Sequence, residues 1–398
     1  MNLKQLGILL VIVAIIGGAG LVLHRNQQSS WSGGSGEVGK KLLGELPVND
    51  VAHIAITHGT NGLNLVKKED EWRVRERHDY PANYPEISGF LLKARDLKVV
   101  QSEQVGPSQL SRLNLASGQG TNGPVIVELK DAGGKLIRTL LLGKKHLRKA
   151  GRSSPMGEGD EGWPDGRYVK VGADAGSVVV ISDPLDSIEP KADQWLDKDF
   201  FRIEKVKSIA VVFPEATNSW KLARPTETDD WALTDPKPGE EVDSSKAGTA
   251  SSAFGSASFT DVLPGGNVIG QESKSVAMTV ETFDDFKYTI KAGQKKADDY
   301  PLTVSVEAHL PGERVPGKDE KPEEKARLDT EFKEKQKKLQ DKLKQEQRCQ
   351  KWTYLVPGWV VDPVLKPRFE LLKTEVSTEG GKEQSLKVET HTPATPAN

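Results

Sequence analysis

Residues 6–23 read LGILLVIVAIIGGAGLVL, eighteen positions without a charge, an Asn, a Gln or a Pro. A bilayer core takes about 20 apolar residues as a helix, with roughly 17 as the lower bound. Leu, Ile and Val favour insertion, and a helix satisfies its own backbone groups in lipid. The small residues Gly18 and Gly20 would suit a cleavage site, but the apolar run continues past them to His24 and Arg25. No Cys closes the run to take a lipid, since Cys349 is the only one. An uncleaved anchor over residues 1–25 is therefore expected, with a single crossing. The short tail holding Lys4 is easily kept inside, so the bulk of the chain is expected outside the cytoplasm.

The remaining sequence has the composition of folded protein: 28% charged, 36% hydrophobic, formal charge −2. That balance calls for neither nucleic acid nor an anionic surface as partner. One Cys excludes an internal disulfide framework, which fits a bacterial envelope protein or a cytosolic-facing domain alike. The absence of any Asn-x-Ser/Thr acceptor favours a bacterial envelope over a eukaryotic secretory route. Residues 26–46 begin as a Ser- and Gly-rich linker. Gly34-x-x-x-x-Gly39-Lys40 imitates a phosphate loop, but Lys41 stands where Ser or Thr would hold Mg²⁺, and no strand precedes it.

Two stretches of the chain match each other. Val51-Ala52-His53-Ile54-Ala55-Ile56 aligns with Val206-Lys207-Ser208-Ile209-Ala210-Val211 at an offset of 155. Leu63, Leu65 and Lys67 align with Trp220, Leu222 and Arg224; Trp72-x-Val74 aligns with Trp231-x-Leu233. Val127 and Gly143 align with Val280 and Gly293, and Asp183-Pro184 with Asp362-Pro363. The offset jumps after about residue 302, so an insertion is expected at about 309–351. Within the first copy, residues 51–57, 63–67 and 72–77 alternate at period two around turn residues and predict a three-stranded meander. Ile87, Phe90, Leu91, Ala94 and Leu97 follow at helical spacing. Residues 125–129 with 136–142, and 168–171 with 178–181, predict two hairpins. The expected class is α+β, as two tandem duplicated β-rich units over 47–203 and 204–375, followed by a disordered tail at 376–398.

In the insertion, 20 of the 32 residues from 317 to 348 are charged. Glu323 with Arg327, Asp329 with Lys333, Glu331 with Lys335 and Glu334 with Lys338 are favourable i,i+4 pairs. Leu328, Phe332, Leu339 and Leu343 fall in one narrow stripe. A helix of about 25 residues follows, about 37 Å long. Its stripe leans on its own domain or docks a partner.

No constellation identifies a reaction. Histidines are scattered, with no His-Glu-x-x-His and no Cys/His cluster, and no Gly-x-Ser-x-Gly elbow occurs. Neither catalytic nor metal nor cofactor residues are assigned. Asp183 and Asp186, and Asp197 and Asp199 beside Trp195, Phe200 and Phe201, place carboxylates near aromatics. A glycosidase would need such a spaced pair, but turn formation and packing at the seam between the copies account for these residues more simply.

Pro47-Val48-Asn49-Asp50-Val51, the Lys67-x-x-x-x-Trp72 hairpin, Asp96-Leu97-Lys98-Val99-Val100, Leu142-Gly143-Lys144-Lys145 and Gln194-Trp195-Leu196-Asp197-Lys198, with the anchor, resemble the bacterial domain-of-unknown-function family 4340. The likeness runs from the anchor to about Leu372 and rests on packing patterns. It implies a protein anchored in the inner membrane with an accessory role near a transporter, since some members are encoded beside gliding-motility-type ABC transporter components, and carries over no catalytic residue. Two readings result. One is a non-catalytic, membrane-tethered interaction module whose contacts are Leu328, Phe332, Leu339, Leu343 or Trp195, Phe200, Phe201. The other is an envelope glycan hydrolase with carboxylates at the seam.

Overall fold

The computed structural model describes residues 38–116, 118, 120–148, 163–172, 177–263, 274–317 and 320–373. The expected anchor, most of the linker and the tail lie outside the described residues. Among the described residues no helix is long and apolar enough to cross a membrane. What is described is β-rich: two sheets with a few helices, every strand pair antiparallel.

The first sheet opens with the expected meander: β1 (His53–His58), β2 (Asn61–Lys68) and β3 (Glu71–Val74), closed by a two-residue β4 (Tyr80–Pro81). Helix α1 (Tyr84–Asp96) carries the chain across to β5 (Val99–Gln104) at the far edge. The one-turn α2 (Pro107–Leu110) leads to β6 (Val125–Lys130), β7 (Leu136–Arg148), β8 (Trp163–Val171) and β9 (Ser177–Ile181). The order is β4-β3-β2-β1-β6-β7-β8-β9-β5. Period-two patterning explains these strands: β6 alternates buried and half-buried along its whole length. Ile87, Phe90, Leu91, Ala94 and Leu97 are all buried, as their spacing requires.

The second sheet comprises β10 (Val206–Val212), β11 (Trp220–Ala223), β12 (Ala232–Leu233), then helix α3 (Ser244–Ser252), β13 (Asp261–Leu263), β14 (Val276–Thr282), β15 (Phe286–Ala292) and β16 (Asp299–Ala308). Helix α4 (Pro322–Gln347) intervenes before β17 (Thr353–Pro357) and the short α5 (Gly358–Val361). The order β12-β11-β10-β14-β15-β16-β17-β13 repeats that of the first sheet strand for strand, with β4 unmatched. Smaller features repeat too. Asn83 caps α1 and Asp243 caps α3 through their side chains, each worth about 1 kcal/mol. Asn83 N donates to Trp195 O (2.8 Å), and Asp243 N to Leu371 O (2.9 Å).

Three details differ from the sequence reading. Ile56 faces Val127 while Val211 faces Met278, so Val127 corresponds to Met278 and not to Val280. Trp72 is buried, but Trp231 is only half-buried, with the Arg224 guanidinium 4.7 Å from its ring. In α4, Lys335 reaches across to Asp284 (2.9 Å) while Glu331 takes Arg327 (2.8 Å). The expected Glu331–Lys335 pair is replaced because Asp284 sits in a turn beneath the helix, flanked by Lys205 as well. The expected Asp329–Lys333 pair is replaced because Arg314, from the segment leading into α4, takes Asp329 (2.8 Å).

Helix α4 lies along β16. Leu339 and Leu343 pack on the core, and the helix end is tied down by Glu346. That carboxylate is 4% exposed and accepts from Tyr288 Oη (2.7 Å), Arg202 N (2.9 Å) and Lys342 Nζ (2.6 Å).

Candidate functional site

The two sheets meet at a seam filled by rings. Tyr80 of β4 packs edge-on against Trp352 (4.8 Å between centroids) and Phe259 (6.0 Å), and Phe200 lies 4.6 Å from Tyr354. Arg77 closes the rim with a two-pronged ion pair to Asp261, both bonds 2.7 Å. One continuous apolar core runs through both halves. Burial pushes the Tyr80 hydroxyl up and the lone Cys349 thiol up to about 11, so neither ionises at neutral pH.

The residues nominated from sequence fall on the inside of this arrangement. Trp195 is buried against Phe90 of α1, with its Nε1 donating to Glu189 O. Phe201 is buried between Phe254 and Tyr288, and half-buried Phe200 is surrounded by Phe201, Phe259 and Tyr354. Phe200 and Phe201 join the halves, Trp195 packs within the first, and all three present little to a partner. Leu328, Phe332, Leu339 and Leu343 are each half-buried. Leu339 and Leu343 touch the core, and Phe332 borders a small groove with Arg314 and Pro316 from the segment leading into α4. The C-terminal part of the stripe, Leu339 and Leu343, thus covers its own domain.

Above the filled seam a groove of about 550 Å³ remains, lined by Glu71, Trp72, Tyr84, Asp197, Arg348, Lys351 and Trp352 among others. Five separate elements supply it: the β2–β3 turn and β3, β4, the start of α1, the linker between sheets, and the 3-10 turn Arg348–Lys351 that ends α4. The β2–β3 turn holds Glu69 and Asp70 at φ 49° and 66°. A two-residue hairpin loop needs positive φ at both positions, which side chains other than Gly and Asn adopt at a cost.

Trp72 forms the groove floor, half-buried Trp352 a wall, and Tyr84, 62% exposed, the lip. Asp197 sits among them. Its N donates to Pro81 O (3.0 Å) and its Oδ1 accepts from Asp199 N (3.0 Å). Burial pushes its carboxyl above the usual carboxylate range, against the Asp199 amide and the Arg348 charge. Glu71, the neighbouring acid, is ion-paired with Arg73. The other carboxylates singled out lie elsewhere: Asp183 caps the turn at Leu185 N (2.8 Å), Asp186 pairs with Lys145, and Asp199 takes Gln345 (3.2 Å). Among the described residues no group of three His, Cys, Asp or Glu side chains is placed to hold a metal ion.

Chemically the groove offers aromatic faces, three cations (Arg73, Arg348 and Lys351, the first ion-paired with Glu71) and one carboxyl that is easier to protonate than most. Arg348 and Lys351 were illegible as site residues, because in sequence they are the last charges of a charged helix. No family model matches the sequence, and no curated protein or solved structure is similar to it at a significant level.

Proposed function

We propose that the protein is a non-catalytic, membrane-tethered interaction module of the bacterial inner membrane, with its bulk extracytoplasmic, accessory to an ABC-type transporter. Its two β-rich halves descend from one duplicated unit, and the partner docks at the groove above the seam. The observation that carries this reading is the seam itself: where a catalytic cleft between the copies would open, rings fill the space, leaving a shallow, aromatic, mixed-charge groove. Aromatic and Arg side chains are enriched at protein contacts. A tether raises the effective concentration of such a surface near membrane partners, so modest contacts suffice. The resemblance to the membrane-anchored family supports the location and the class of partner.

A photo-crosslinking residue in place of Tyr84, in native membranes, should capture a transporter subunit. The same residue at Phe369, which is 68% exposed, should not. Equal capture at both positions, or none at Tyr84, would count against docking at the groove.

A second reading, an envelope glycan hydrolase, is favoured by one observation: the raised carboxyl of Asp197 beside Trp352 and Tyr84, since sugars stack on aromatic faces. Glycoside hydrolysis needs a protonated acid and a second, ionised carboxylate. Here the second would be Glu71 or Asp70, already paired with Arg73 and Lys67 respectively. Release of reducing ends from envelope glycan, abolished by Asp197→Asn, would establish this reading; no release by the unaltered protein would end it.

A further inference from the structure

On the far side of the first sheet lies a second groove, of about 510 Å³, between the segment after β5 and strands β7 and β8. Its lining includes Gln109, Arg112, Lys144, Lys145, His146 and Tyr168. We propose that this groove binds a phosphoryl oxyanion, as a phosphomonoester or the phosphodiester of a lipid headgroup.

Strand geometry is the first ground. Along a regular strand successive side chains alternate between faces. Yet Lys144, Lys145, His146 and Leu147 all line this single groove. Two register shifts in the β7/β8 ladder, between Leu142 and Lys145 and between His146 and Leu147, make that possible. Bulges of this kind re-aim side chains.

Close packing is the second. A Cβ on Gly143 would stand 2.4 Å from Leu113 O, and one on Gly166 would stand 2.5 Å from Ile181 O. Only glycine lets the 110–115 segment and β9 approach β7 and β8 this closely. Arg167, 8% exposed, donates Nε to Gly143 O (2.8 Å) and Nη1 to Leu185 O (3.1 Å), holding the bulge. The groove wall is thus a fixed feature and not a chance hollow between loops.

Charge is the third. Among the lining residues Arg112, Lys144 and Lys145 are cationic and Glu103 is the one carboxylate, in a chain whose formal charge is −2; Asp186 and Asp165 stand outside the lining. Lys145 and His146 are steadied by Asp186 and by Asp165 (2.6 Å), whereas Arg112 and Lys144 have no ion-pair partner among the described residues. Tyr168, edge-on to His146 at 5.7 Å, stays a neutral hydroxyl donor, since burial and Glu103 push its titration up. Two cations without an ion-pair partner among the described residues, with hydroxyl and amide donors around a concave site, suit an oxyanion, which each can meet with a charge-assisted hydrogen bond.

The test uses the full chain in a non-ionic detergent, titrated by calorimetry with glycerol 3-phosphate and, separately, with glycerophosphoglycerol, the soluble diester of a lipid headgroup. One saturable site is expected, weakening as salt is raised. Arg112→Ala and Lys144→Ala should each weaken it about tenfold, while Lys221→Ala, an exposed lysine on the other sheet, should leave it unchanged. Tighter binding of the diester assigns a lipid headgroup, and tighter binding of the monoester assigns a soluble phosphoryl ligand. No binding of either probe, or equal loss in Lys221→Ala, overturns the proposal. Arg112 and Lys144 are exposed, so unchanged unfolding midpoints will separate lost binding from lost folding.

Discussion

Replacing Glu346 tests whether α4 is an integral part of the second half or a free appendage. The carboxylate is 4% exposed and holds three donors. In Glu346→Ala, Tyr288 Oη, on a residue with 0% exposure, loses its partner, as does Arg202 N. An orphaned buried donor costs about 1–3 kcal/mol. Lys342 contributes less, because its Nζ also donates to Arg202 O (2.6 Å) and its side chain is 28% exposed. Removing the carboxylate also removes its own desolvation cost, which offsets part of the loss. The net expectation is about 3–5 kcal/mol of destabilisation. Glu346→Gln keeps one acceptor and should cost about half as much. Tyr288→Phe alone leaves Oε2 without its donor and should cost about 1–3 kcal/mol. Because the double variant has no orphaned hydroxyl, its cost should fall short of the summed singles by about 1–3 kcal/mol. Urea unfolding followed by tryptophan fluorescence gives each value from the midpoint, at unchanged slope. A Glu346→Ala cost under 1 kcal/mol, or zero coupling to Tyr288, would refute the anchoring argument.

Three further outcomes are expected. The Asp197 carboxyl is raised by burial, so its contribution to stability is complete below its unfolded value near 3.8 and declines as pH rises through its folded value. Asp197→Asn should therefore stabilise the protein at pH 7 and lose that advantage below about pH 4, read from urea midpoints against pH; an advantage that persists at low pH would contradict burial as the cause. Glu240 is depressed to about 2, first by its hydrogen bonds with Arg368 and then by the Lys237 amide. Its contribution is present above 4.5 and lost as pH falls toward 2, with solvent screening holding the loss to about 1 kcal/mol, and Glu240→Gln should flatten that stretch of the acid-unfolding curve. Asp70→Gly relieves a φ of 66° and should raise stability by about 0.5–1 kcal/mol, read as a higher urea midpoint, since the exposed Lys67–Asp70 pair it removes is worth little; a lower midpoint would show that the turn is unstrained.

Much of the scaffold was legible along the chain. The meander at 51–77, the two later hairpins and the face of α1 follow from period-two and 3.6-residue patterning, since local periodicity reports which side of an element meets the core. The position of α4 was legible for the same reason, from a long charged stretch with one apolar stripe. Matched segments 155 residues apart foretold that a second sheet would have the strand order of the first.

Other features depended on which surfaces come together, and periodicity is silent on that. Lys335 pairs with Asp284 across the sheet because a turn, distant in sequence, lies beneath the helix. Two-residue strands such as β4 and β12 are too short to show a pattern, yet β4 is where the seam begins. The seam groove joins Trp72, Asp197 and Trp352, up to 280 positions apart, so no spacing could announce it. Lys144, Lys145 and His146 read as an alternating strand until two bulges, allowed by Gly143 and Gly166, turn them toward one groove. Each element's own pattern selects its buried face; the sites arise where elements meet, and those meetings are set by packing between residues far apart in the chain.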